Sequence, residues 1–209
     1  MLLLKCSDLT DAYFKIYSQL YRGRSTVRER GLRYLMNVVL SVDKLELSRD
    51  LIEIYDKKIL SLERAYERIR KLYMSRLFMY NRTEYLFERL KSKIDRTKNI
   101  FYFIDPEKDY NILSFSLFSP KDQEHKPCIL AVNFMWTDKS LSMLSIHRIA
   151  NFYKRLIPDF LFLIDLTDMI GIREKLSRNL LVFQTIYQKS RFQEIEENLS
   201  KRINITVYT

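Results

Sequence analysis

From Leu32 to Asp105 the chain contains neither glycine nor proline. Glycine breaks regular structure through its left-handed freedom, and proline through its missing N–H. A stretch that long without either, rich in Leu, Arg, Lys, Glu and Tyr, predicts helices. Capping chemistry marks where they start. Thr26 with Glu29, Asp43 with Glu46 and Asn81 with Glu84 each place a side-chain acceptor at a cap and a carboxylate three residues on. The expected helices cover 8–21, 26–41, 44–80 and 82–96. The third is long for a globular protein and is expected to break or to protrude.

Glycine is scarce throughout: 3 of 209 residues, Gly23, Gly31 and Gly171, no two within one short loop. This excludes the glycine-rich phosphate loops and the GxSxG nucleophile elbow. Two Cys and two His exclude a four-cysteine zinc site and leave few candidates for a catalytic dyad. Cys6 and Cys128 form no recognisable spacing, so a reducing interior is the expected setting. The opening apolar run is too short for a signal peptide, and no stretch approaches eighteen apolar residues. The expected location is cytoplasmic, or nuclear in a eukaryotic source, with no membrane contact.

Beyond residue 99 the periodicity changes. Ile100–Ile104 reads as a buried strand ended by Asp105-Pro106. Residues 110–118 alternate, and residues 128–136 place Leu130, Val132, Phe134 and Trp136 on one face. Together they predict an antiparallel meander of three strands. A helix at 139–156, a parallel strand at Phe160–Ile164, a helix over 172–201 and a strand at Ile203–Val207 follow. The expected class is therefore α+β: a basic helical region, 1–98, followed by a mixed α/β domain, 99–209. The order is like that of a ribonuclease H-like or restriction-endonuclease-like core, an analogy of topology alone.

The charge is unevenly divided. Residues 1–99 carry 22 Lys and Arg against 13 Asp and Glu, a net of +9; the remaining residues carry +1 of the total of +10. Three clusters hold the excess. Arg22, Arg24, Arg28, Arg30 and Arg33 are interleaved with Tyr17, Tyr21 and Tyr34, and Glu29 is the one acid among them. Arginine matches phosphate with a planar fork, and tyrosine offers a face for stacking. Lys57, Arg64, Arg68 and Lys71 form a row on one side of the expected long helix, opposite Leu51, Tyr55, Leu62, Tyr66 and Tyr73. Arg82, Arg89, Lys93 and Arg96 make the third cluster, of which Arg96 also suits a helix C-terminus. A solvated face with ordinary ion pairs is the competing reading of each.

The expected function is non-catalytic nucleic-acid binding, with basic helical faces on the phosphate backbone and no reading of sequence. The alternative is an assembly subunit that pairs with a partner chain, or with itself, through helix 44–80. A lesser alternative is a metal-dependent nuclease with a degenerate site. Asp105, Asp109, Asp165 and Asp168 are its carboxylates, but the third strand lacks the acid-x-Lys pair and 139–156 lacks any acid. No catalytic residue, metal ligand or cofactor is assigned. His147 is expected on an outward helix face, and His125 in a charged loop.

Overall fold

The computed structural model describes residues 1–22, 26–29, 31–58, 66–67, 70–71, 112–117, 127–137 and 140–189. Strand β1 (Leu2–Asp8) leads directly into helix α1 (Leu9–Arg22). Strands β2 (Val27–Glu29) and β3 (Leu32–Lys44) form an antiparallel hairpin, with Gly31 at φ 72° in the turn between them. Helix α2 spans Arg49–Lys58. Further along come β4 (Ile112–Ser116), β5 (Ile129–Thr137), β6 (Ser140–Asn151), α3 (Leu156–Ile170), a 3₁₀ turn at Arg173–Lys175 and β7 (Leu176–Lys189).

All seven strands belong to one mixed sheet, in the order β1-β3-β7-β6-β5-β4 with β2 on β3. Two β-α-β units meet at its centre. β1 and β3 are parallel and joined through α1; β6 and β7 are parallel and joined through α3; β3 and β7 run antiparallel against each other. β4, β5 and β6 form an antiparallel meander on the far side. The class is α+β, as expected, but several elements differ from the sequence reading.

The N-terminal region is not a helical module: residues 27–29 and 32–44 are strands where a helix over 26–41 was expected, and 2–8 is a strand. The helix expected from 44 starts at 49, because β3 runs to Lys44. The helix expected over 139–156 is β6, the strand expected at 160–164 lies inside α3, and the helix expected from 172 is β7. The ribonuclease H-like order therefore does not describe these elements. α1, β4 and β5 lie where the sequence places them. The elements expected at 82–96, 100–104 and 203–207 lie outside the described residues.

One core forms on one face of the sheet. Leu9, Ala12, Tyr13, Ile16, Tyr17 and Leu20 recur at helical spacing and bury one side of α1. α3 buries a broad side, Phe160, Phe162, Leu163 and Leu166 among it, and leaves Asp168 and Met169 exposed. Both sets join Val38, Leu40, Val42, Leu181 and Phe183 of the sheet in a single cluster. We call this the inner face. Gly171, in the left-handed conformation, ends α3; its N–H donates to Asp168 O at 2.9 Å, and Ile172 N–H donates to Thr167 O at 3.0 Å.

A crease crosses the sheet. In β3 the inward residues are Leu35, then Val38, Leu40 and Val42; in β7 they are Asn179, Leu181 and Phe183, then Ile186 and Gln188; in β6 they run from Leu141 to His147, then Ala150 and Phe152. Each strand changes phase at one row, where the pairing skips Asn37, Gln184 and Arg148. β5 shifts register between Ile129 and Ala131 at the same level. Asn37 supplies the conformation the crease requires: it has φ 52°, the one positive φ at a non-glycine among the described residues.

Candidate functional site

The first basic cluster is the one the fold assembles. The last turn of α1 brings Tyr21 and Arg22 beside the β2–β3 hairpin, and cross-strand pairing sets Arg28 directly opposite Arg33. The guanidinium of Arg33 lies over the Tyr21 ring, 4.1 Å from its centroid. Arg28 donates from Nη2 to the Tyr21 carbonyl at 3.4 Å. Both arginines thus converge on one residue. Tyr21 is itself held from two sides: its ring lies 4.4 Å from that of Tyr17, and its hydroxyl is 3.1 Å from that of Tyr153. Tyr153 is buried and packs edge-on against Phe152, which stacks on Tyr13 at 4.5 Å. The aromatic run anchors the corner to the core.

Like charges placed directly opposite on neighbouring strands destabilise a hairpin unless something offsets them. The Tyr21 ring face and carbonyl offset part of that repulsion. Arg28 and Arg22 remain exposed, and Arg33 is half-buried. Arg22 also stands at the negative end of the α1 dipole, where a cation is favoured. The corner is electropositive, has an aromatic floor and is open to solvent.

The other expected residues are placed differently. Lys57 belongs to α2, on a helix that begins five residues later than expected. Lys71 is helical and exposed. Arg24, Arg30, Arg64, Arg68, Arg82, Arg89, Lys93 and Arg96 lie outside the described residues. Arg70, which the sequence analysis did not single out, pairs with Asp165 at 3.2 Å, and the Tyr66 hydroxyl donates to the same carboxylate. Burial, then that hydrogen bond, raises the Tyr66 pKa.

Two of the four carboxylates expected at a metal are engaged in other contacts. Asp165 holds Arg70 and Tyr66, and Asp168 holds Arg173 at 2.8 Å. Asp105 and Asp109 lie outside the described residues. Among the described residues no three His, Cys, Asp or Glu side chains gather as a metal site would require. Likewise, among them no helix is long and apolar enough to cross a membrane.

His147 corrects the sequence reading: it is an inner-face strand residue, 1% exposed, not an outward helical one. Its ring stacks on Phe183 at 4.1 Å, and Nε2 hydrogen-bonds the Ser145 hydroxyl. Nδ1 has no hydrogen-bond partner among the described residues. Burial lowers its pKa to about 3, so the ring is neutral. Cys6 is buried too, and desolvation pushes its thiol up to about 11, far from a reactive thiolate.

On the outer face the crease opens a cavity of about 440 Å³, lined by Asn37, Val39, Ile146, Arg148, Val182 and Gln184 among others. Nothing in the sequence marked it, because its residues come from β3, β5, β6 and β7, with Met1 beside them, and meet only in the sheet. No protein-family model matches the chain, and a comparison with curated proteins finds no significant match.

Proposed function

We propose that the protein is a non-catalytic nucleic-acid-binding protein that grips the phosphate backbone without reading bases, with the Arg22, Arg28 and Arg33 corner as its described contact. The observation that carries this reading is the cross-strand pair Arg28–Arg33 converging on Tyr21. One guanidinium stacked on the Tyr21 ring and a second held beside it on the Tyr21 carbonyl suit an anion with several oxygens. The +9 balance of residues 1–99 supports the same reading. On it, 1–98 is the basic region, 99–209 completes the fold, and the protein works in the cytoplasm or nucleus.

Binding of generic duplex and single-stranded DNA and RNA across a salt series tests this. Each phosphate neutralised on duplex DNA contributes about −0.9 to the slope of log K against log salt. Changing Arg22, Arg28 and Arg33 to Glu should weaken all sequences alike and flatten the slope by about 2.7. Absence of binding to every one of them at about 50 mM salt, where phosphate contacts are strong, would overturn the reading. The basic clusters would then belong to an acidic protein partner.

A further inference from the structure

The outer face of the sheet carries an apolar patch across its central strands. In an antiparallel sheet with one face in water, inward apolar residues alternate with outward polar ones. Here the outward positions of the central strands carry Val39, Leu144, Ile146, Leu180 and Val182, with Leu3 beside them on β1. β3 at Val38–Leu40 and β7 at Leu180–Phe183 are therefore apolar on both faces, the pattern of strands covered on both sides, while Ser41, Ser142, Gln184 and Thr185 stand around this patch. Three of the exposed large apolar side chains lie on this face: Leu3 at 53%, Met36 at 55% and Met135 at 37%. The described helices α1 and α3 bury their apolar sides in the inner core and leave this face uncovered.

We infer that the outer face is the interface of a homodimer, two copies packing sheet against sheet about a two-fold axis. Three features select a second copy over another partner. The first is charge. The chain carries +10, yet this face is nearly uncharged: Lys5, Asp43 and Arg178 stand at its rim, and Arg148, with Nε buried, is the charge within it. A face without a charge pattern asks for a partner without one and does not repel its own copy.

The second is area. Strands spaced about 4.8 Å apart and rising about 3.3 Å per residue make the field of five strands along residues 32–42 of β3 about 800 Å². A specific, stable interface covers about 800 Å² on each partner. The third is shape. The face is an extended twisted sheet, and sheets stack with their strands aligned within about 30°. A second copy supplies a surface of the same twist and extent. The crease cavity then faces the partner rather than water.

This dimer is independent of the phosphate corner. Arg33 pairs in register with the buried Gln188, so the corner is set from the inner side of the sheet. The two interfaces can therefore be broken separately.

Sedimentation velocity of the full chain at tens of micromolar, after nuclease treatment, tests the inference. The expected mass is twice 25.4 kDa. Leu3→Glu with Met36→Glu should reduce it to one chain with the far-UV spectrum unchanged. Both positions are already more than half exposed, so the fold does not depend on them. Met169→Glu, on the exposed side of α3, should leave the dimer intact. A wild type that stays at one chain overturns the inference, as does a dimer that the double variant leaves intact. Salt-dependent nucleic-acid binding by the monomeric variant separates failure here from failure of the phosphate reading.

Discussion

Arg33 rests its guanidinium on the ring of Tyr21, 4.1 Å from the ring centre, and the hydroxyl of that ring meets Tyr153. The two contacts are separable. Tyr21→Phe keeps the ring under Arg33 and deletes the hydroxyl pair. It should cost about 1 kcal/mol in urea unfolding and leave nucleic-acid affinity unchanged. Tyr21→Ala removes the floor as well, and should weaken binding in addition to stability.

His147 makes stability depend on pH. Its folded pKa lies below that of the unfolded chain, so below about 6.5 the unfolded state binds the extra proton. Stability is full above that value and falls as the pH drops towards 3. Between pH 7 and 5 the loss should be about 2 kcal/mol. His147→Gln, which keeps a polar partner for Ser145, should remove this part of the slope in urea titrations at each pH.

Asp165 and Asp168 should prove structural. Changing both to Asn should leave nucleic-acid affinity undiminished, and removing two negative charges should tighten it slightly. Because Asp165 is partly exposed, loss of its pairing with Arg70 should cost under about 1 kcal/mol. Added Mg²⁺ should leave a bound duplex uncut on a gel. Cutting that disappears in the double variant would revive the nuclease alternative.

Asn37 should tolerate glycine and reject β-branched residues. Asn37→Gly keeps φ 52° without strain, whereas Asn37→Val should destabilise by about 1–2 kcal/mol. The midpoint of thermal unfolding distinguishes the two.

What the sequence made legible follows from which periods survive in the side chains. α1 carries a clean 3.6-residue stripe and was placed within a residue or two at each end. β4 and β5 alternate and were found. β3 was hidden twice: Asn37 breaks its alternation midway, and the absence of glycine and proline argued for a helix. β6 alternates in burial from Ser140 to Arg148, yet Leu144 and Ile146 on the outer side disguise it. α3 is apolar over a broad side, so its Phe160–Ile164 run looks like a buried strand, and length alone separates the two. In β5 the register shift turns Leu130 away from Val132 and Phe134, with which the sequence had grouped it. The Arg28–Arg33–Tyr21 corner was legible as density but not as geometry. Its residues were named on a supposed helix, whereas a hairpin brings them together.

The crease also bears on how the strands find their partners. In a sheet of uniform alternation, a strand displaced by two residues still turns the same kind of side chain inward, so mispairings by even steps are cheap competitors. β3, β7 and β6 each switch phase at one row. A two-residue displacement of any one of them would leave two rows in which its inward side chains meet a neighbour's outward ones. The phase change thus acts as a key cut into each strand, and it specifies absolute alignment where alternation alone would specify only odd from even.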